Sequence, residues 1–452
     1  MPDIQTSEQQ SIFPEQSRLE DIVQDLMAQA QQLGADQVEA AVSIDAGLSV
    51  TVRLGEIETL EYNHDRGLGL TVYFDQRKGS ASTADFAPAS LAATVKAACD
   101  IARYTSKDKY SGLADADQMA TDIADLDLYH PWNITAEQAI ELATETEDAA
   151  RRVDSRIENS EGGTVFSNTG MRMKANTHGF MAGYKSSYHS LGCAVIGKQG
   201  DEMQRDSWSW SARDRADLMP AADVGRIAGE RTVRRLGTRS LSTREVPVIY
   251  AADIASSLFG HFISAISGNS LYRKASFLLD HIGKPVFPDF MRIHEQPLLP
   301  RAMGSAPYDN EGVATRARDI VTDGVLQGYV LNSYAARRLG MQTTANAGGV
   351  RNLTIAPGDR DLPALLSSMD TGLLVTELIG FGVNNVTGDY SRGAAGFWVE
   401  GGEIQYPVDE ITVAGNLKDM FMKIVEVGND VDLRGNTRTG SVLIEKMMVA
   451  GA

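Results

Sequence analysis

The chain has 452 residues and a net charge of −18, with 60 Asp and Glu against 42 Lys and Arg. That excess of acid argues against a dedicated binder of nucleic acid or anionic membrane, and a 43% hydrophobic, 23% charged composition excludes a disordered chain. Only Cys99 and Cys193 occur, so a disulfide framework and a Cys-rich zinc site are excluded as well.

The opening MPDIQTSEQQ lacks the basic and apolar parts of a signal peptide, and no run of about 18 apolar residues occurs. A soluble cytoplasmic protein is expected. Order should begin at Ser17, where Ser17 and Glu20 form a capping-box pattern and Leu19, Ile22, Val23, Leu26, Ala30 and Leu33 follow at helical spacing up to Gly34. Four strand-like runs come next, starting at Val38, Leu48, Ile57 and Leu68 and divided by Gly- or Asp-containing turns, before a second helix over about Pro88–Tyr104. This order indicates an α+β unit rather than a dinucleotide fold. Residues 111–127 read as a connection.

A second capping box, Thr135 with Gln138, opens an Ala/Glu-rich helix that runs to about Val153. Short strands are predicted from Gly162 to about Ser211, with a turn at Asn168-Thr169-Gly170 and with Trp208 and Trp210 alternating on a half-covered strand. Residues 221–236 read as a helix ending at Gly237. The last segment begins with the apolar strand VPVIY at Val246 and carries hairpin signals at Thr322-Asp323-Gly324 and Glu400-Gly401-Gly402. The expected fold is α+β and multi-domain. An N-terminal α+β domain spans 17–110, a central α+β domain 128–238, and a large, mostly β domain of barrel or sandwich type 244–452.

Familiar motifs fail in informative ways. Gly197-Lys198 and Gly283-Lys284 lack the rest of a phosphate-binding loop, no G-x-S-x-G elbow occurs, and Gly380-x-Gly382 lacks the third glycine of a dinucleotide fingerprint. None of the seven histidines has another at the four-residue spacing that puts two imidazoles on one helical face. His261 is set apart by its surroundings, the small and apolar stretch 252–270 that should form a buried helix. Cys193, in the apolar run SLGCAVIG, is expected to be an inert core thiol.

Several stretches resemble the TldD/PmbA family of bacterial zinc metallopeptidases. They include VRLGEIETLEYNHDRGLGLTVYF, PYDNEGVATR (307–316), TDGVLQGYVLNSYAARRLG (322–340), NVTGDYSRGAAGFWVEGGEI (385–404) and EVGNDVDLRG (426–435). The resemblance places His261 where catalytic members carry HExxxH, and the chain is most similar to the PmbA branch, also called TldE. A zinc hydrolase needs about three protein ligands, an open position for water and a carboxylate base. Here Phe262 stands in place of the Glu and Ile266 in place of the second His, while Leu433, Arg434 and Gly435 occupy the neighbourhood where catalytic relatives draw a third ligand from a cysteine.

The resemblance therefore implies a chain with no catalytic residue and no metal of its own. It would work with peptides beside a TldD-type catalytic subunit that carries the zinc, supplying channel wall and peptide-docking surface. Two other readings stay open: an autonomous metallopeptidase whose site is completed by residues such as His281, His294, Glu295, Asp309 or Glu311, and a non-enzymatic peptide-binding homodimer.

Overall fold

The computed structural model describes Phe13 and residues 16–451. The first two segments share one six-stranded antiparallel sheet, in the order β3-β2-β1-β4-β5-β6. Its strands are β1 (Gln37–Arg53), β2 (Glu56–Phe74), β3 (Arg77–Thr83), β4 (Ile157–Asn176), β5 (Met181–Gln199) and β6 (Glu202–Ala212). Four helices, α1 (Gln16–Gln32), α2 (Pro88–Tyr104), α3 (Ala136–Arg151) and α4 (Ala221–Arg234), accompany them. Alternation dictates which face they cover. Val38, Ala40, Val42 and Ile44 pack with Leu19, Val23 and Leu26 of α1, whereas Leu48, Val50 and Val52 of the same strand pack with Ala139 and Ala143 of α3.

Three sequence expectations are corrected here. The four predicted strands merge pairwise into β1 and β2, and the expected turn at Asn168-Thr169-Gly170 lies in the middle of β4, paired with Asp45, Ala46 and Gly47 of β1. The glycines serve close approach instead of reversal. A Cβ on Gly47 would lie 2.7 Å from the Ser167 carbonyl oxygen, and one on Gly170 would lie 2.5 Å from an Asp45 carboxylate oxygen. Ser17 is likewise not a cap, because the helix already includes Gln16, whose Nε2 donates to Glu20 Oε1 at 2.9 Å. The second capping box does form: Thr135 Oγ1 accepts from the Gln138 N–H while Gln138 Oε1 accepts from the Thr135 N–H.

The third segment holds a closed barrel and a smaller sheet. β7 (Arg244–Tyr250), β12 (Gly372–Ile379), β13 (Asp389–Glu400), β14 (Glu403–Asn416) and β17 (Val442–Ala450) run in the order β14-β13-β12-β7-β17, and pairing of β14 with β17 closes the ring. β15 (Ile424–Val427) extends it from β17. The smaller sheet is β10-β9-β8-β11-β16, built from β8 (Ile293–Glu295), β9 (Arg318–Thr322), β10 (Val325–Leu326), β11 (Leu353–Ile355) and β16 (Thr437–Arg438). Both expected hairpins occur, with φ of 49° and 73° at Asp323 and Gly324 and of 62° and 77° at Gly401 and Gly402, the positive values that two-residue turns require.

Five helices complete this part: α5 (Ala252–Ala265), α6 (Gly268–Tyr272), α7 (Ser333–Leu339), α8 (Leu362–Met369) and α9 (Leu417–Met422). Along β7, Val248 and Tyr250 join the core shared with α5, while Ile249 faces the opposite way toward Leu365 and Leu366 of α8. The first sheet meets this segment through Tyr308, whose ring packs edge-on against Phe180 and Tyr184 and whose hydroxyl donates to the Ala182 carbonyl at 3.1 Å. Among the described residues no helix is long and apolar enough to cross a membrane.

Candidate functional site

Helix α5 is amphipathic rather than uniformly buried. Ala255, Leu258, Phe259, Phe262 and Ala265 enter the core, while Ser256, Ser257, Gly260, His261 and Ser264 retain exposure on other faces. A cleft of about 420 Å³ runs along the start of this helix, with β6 of the central segment as its opposite wall. Ser256, Ser257 and Asp253 come from α5, Asp206 and Trp208 from β6, Glu377 and Arg392 from the barrel, and Arg434 from the loop before β16.

Most of its charges are paired. Arg231 reaches Asp206 at 3.3 Å and Asp253 at 3.0 Å, and Arg235 pairs with Glu377 at 2.5 Å. The Arg434 guanidinium lies 3.8 Å from the centre of the Trp208 ring, pairs with Asp432 and donates to the Ser209 carbonyl at 3.0 Å. One turn beyond Ser257, the His261 ring sits edge-on to Tyr390 with centroids 5.9 Å apart, and its Nε2 is buried without a hydrogen-bond partner among the described residues. Burial, with the Arg392 charge adding to it, pushes this imidazole below its ordinary pKa.

The positions that resemble a ligand set do not converge. Phe262 is fully buried against Phe287, at 5.0 Å between ring centres, and against Phe421 at 6.0 Å; Ile266 is equally buried in the same core. The third position brings a cation, Arg434, into the cleft instead of a thiolate. One imidazole, a phenyl ring, a butyl group and a guanidinium do not fit a zinc centre. Among the described residues no group of three or more His, Cys, Asp and Glu is arranged to hold a metal ion.

The other candidates are dispersed and engaged in separate bonds. His281 Nδ1 contacts the Leu279 carbonyl at 2.6 Å, and His294 Nδ1 contacts Asp319 at 2.6 Å. Glu295 accepts from Arg318, Asn346 and the Arg351 N–H. Asp309 accepts from the N–H groups of Glu311, Val313 and Ala347; burial and then Glu311 raise its pKa to about 6 against the opposing pull of those donors. Glu311 itself accepts from the Ser333 N–H. Cys193 is buried in β5 with its thiol pushed up to about 12 by desolvation, which leaves no thiolate at neutral pH.

A larger cavity of about 810 Å³ shares no lining residue with the α5 cleft; it is walled by Glu39, Tyr73, Lys107, Asp108, Glu311 and Tyr334. Sequence reasoning missed Arg392 and Glu377 as walls of the α5 cleft. The alternation of Trp208 with Trp210 was the one signal that pointed to the far wall.

Family models match the chain in three consecutive blocks: PmbA/TldA metallopeptidase domain 1 over residues 38–102, the central domain over 129–236 and the C-terminal domain over 243–451. The chain is 50% identical over 417 residues to the metalloprotease PmbA of Escherichia coli O157:H7, covering 92% of this chain and 93% of that one. A PmbA homolog of Haemophilus influenzae is 49% identical over 414 residues, covering 91% and 92%. Among solved structures, a Bacteroides thetaiotaomicron protein superposes with a TM-score of 0.92 at 29% identity, over 96% of this chain and 99% of that one. TldE from Thermococcus kodakarensis shares the fold, with a TM-score of 0.80 at 20% identity over 95% and 100%. The matches run through all three segments and include the barrel that carries α5, so this chain belongs to the PmbA/TldD family of metallopeptidases.

Proposed function

We propose that this chain is the non-catalytic, PmbA/TldE-type subunit of a two-component cytoplasmic metallopeptidase that processes or degrades small or unfolded peptides. Zinc and its general base reside on a TldD-type partner, and this chain supplies channel wall and peptide-docking surface. One observation carries the reading. The residues at the resembled motif, Phe262 and Ile266, are core side chains, and Arg434 is held in the cleft by Trp208 and Asp432. A metal-bound water needs both ligands and a base, and neither can be recruited from a phenyl ring and an aliphatic side chain packed in a barrel core.

The names of the PmbA relatives favour a second reading, a metallopeptidase in its own right. The two are separated by assaying peptide cleavage with this chain alone, with a TldD-type partner alone, and with the mixture. Chelator-sensitive cleavage that requires the partner, and is enhanced by this chain, is the expected result. Cleavage by this chain alone would overturn the proposal, and peptide binding without cleavage in the mixture would favour a peptide-binding homodimer.

A further inference from the structure

The β1–β2 hairpin leaves a long strand edge unused. β3 pairs with β2 only from Leu68 to Phe74, so residues 56–66 have β1 on one side and, among the described residues, no strand on the other. That edge is roughly 35 Å long at about 3.3 Å per residue. Proteins usually blunt such edges, because rows of unpaired N–H and C=O groups template pairing with another chain.

The side chains deepen the observation. Tyr62, Leu60 and Ile57 stand opposite Leu48, Val50 and Val52 of β1, on the face that α3 covers. The three β1 residues are buried beneath the helix, but their β2 neighbours are 70%, 43% and 53% exposed. The apolar row of the sheet thus continues one strand beyond the helix that covers it. The other face is acidic, with Glu61 opposite Ser49 and Asp65 directly opposite Asp45. None of these three carboxylates has an ion-pair partner among the described residues, although Asp45 accepts a hydrogen bond from Asn168 Nδ2 at 3.4 Å. Like charges facing each other across a ladder destabilise it, and a cation on a neighbouring strand relieves that.

We infer that residues 56–66 of β2 dock an extended, basic peptide as an added strand, with Lys or Arg beside Glu61 and Asp65 and apolar side chains beside Leu60 and Tyr62. Charge selects this occupant. A second copy paired edge to edge would set acid against acid, and residues 1–12 of this chain carry Asp3 and Glu8 with no Lys or Arg. A single strand edge is also smaller than the roughly 800 Å² per partner of a stable subunit interface, so a peptide fits it better than a folded subunit. The inference deepens the peptide-handling reading above and rests on it for the origin of the peptide.

The test is fluorescence anisotropy of a labelled twelve-residue peptide of alternating lysine and valine, titrated with the full chain. Binding is expected to weaken by about tenfold or more when glutamate replaces the lysines, since several charge pairs are lost. N-methylation of the peptide backbone should abolish it by removing strand pairing. The exposed double variant E61K/D65K should invert the charge preference, while D21K/E403K, on other surfaces, should leave it unchanged. Equal binding of the basic peptide to E61K/D65K and to the parent chain, tolerance of N-methylation, or no binding at all would overturn the inference. Partner-dependent cleavage in a mixture whose edge binds nothing would sink the docking strand and spare the proposed function. Edge binding without cleavage in the mixture would do the reverse.

Discussion

Phe262→Glu, the substitution that would begin to rebuild the metallopeptidase motif, is expected to unfold the C-terminal barrel segment rather than create a zinc site. Phe262 is fully buried among Phe287 and Phe421 in the core that joins α5 to the barrel. Removing a buried phenyl side chain costs about 3–5 kcal/mol, and a carboxyl group with no partner in an apolar site adds several more. Against a typical domain stability of about 5–15 kcal/mol, that sum leaves little or no folded protein. Phe262→Leu keeps most of the volume and should cost about 1 kcal/mol. Circular dichroism melts of the two variants check this. A Phe262→Glu chain that folds and takes up zinc would show that the core around α5 is not what excludes the metal.

The second large effect is expected at Glu295. This carboxylate is 3% exposed; its Oε2 accepts from Arg318 Nε at 2.9 Å, and its Oε1 accepts from Asn346 Nδ2 at 2.7 Å and the Arg351 N–H at 2.8 Å. Arg318 in turn donates to Asn346 Oδ1 and the Tyr329 carbonyl, so one buried network ties β8 and β9 to the loop before β11. Glu295→Ala takes the counter-charge from the half-buried Arg318 guanidinium and the acceptor from two further donors, a loss of about 3 kcal/mol. For a segment of this size the midpoint of thermal unfolding should fall by roughly 10 °C. Replacing the pair together, as E295L/R318M, should recover part of the loss, since the uncompensated charge disappears with its partner. A single-variant shift within about 2 °C of the parent would mean that the network relaxes or hydrates at little cost.

How far the fold was legible depended on whether a signal was local. The hairpins at Asp323-Gly324 and Gly401-Gly402 and the Thr135–Gln138 capping box are written in adjacent residues, because positive φ and N-terminal N–H groups must be satisfied within one turn of chain. Asn168-Thr169-Gly170 carries the same turn chemistry and is strand, because its glycine answers to the Asp45 side chain of a strand distant in sequence. For the same reason β1 and β2 look like two strands each. Their glycines and aspartates mark tight neighbours in a sheet that only the full register reveals.

The candidate site divides along the same line. The apolar character of α5 and the oddity of His261 were visible in one short stretch. That Phe262 turns inward, and that Trp208, Arg392 and Arg434 wall the cleft beside the helix, follows from contacts between residues more than a hundred positions apart. The free edge of β2 was hidden for a related reason. Nothing in IETLEY says that β3 ends at Thr83, opposite Leu68, so an exposed Tyr62 reads as an ordinary strand aromatic until the pairing is known.

A chain whose α5 turns Phe262 and Ile266 into the core should hold no catalytic zinc, and its metal content reads that out. The chain would be purified alone, equilibrated with zinc, desalted and measured by plasma mass spectrometry, with a TldD-type partner carried through in parallel. Zinc far below stoichiometry on this chain and near stoichiometry on the partner is the predicted result. Near-stoichiometric zinc retained by this chain alone, and lost on His261→Ala, would contradict the account and make α5 the wall of a metal site after all.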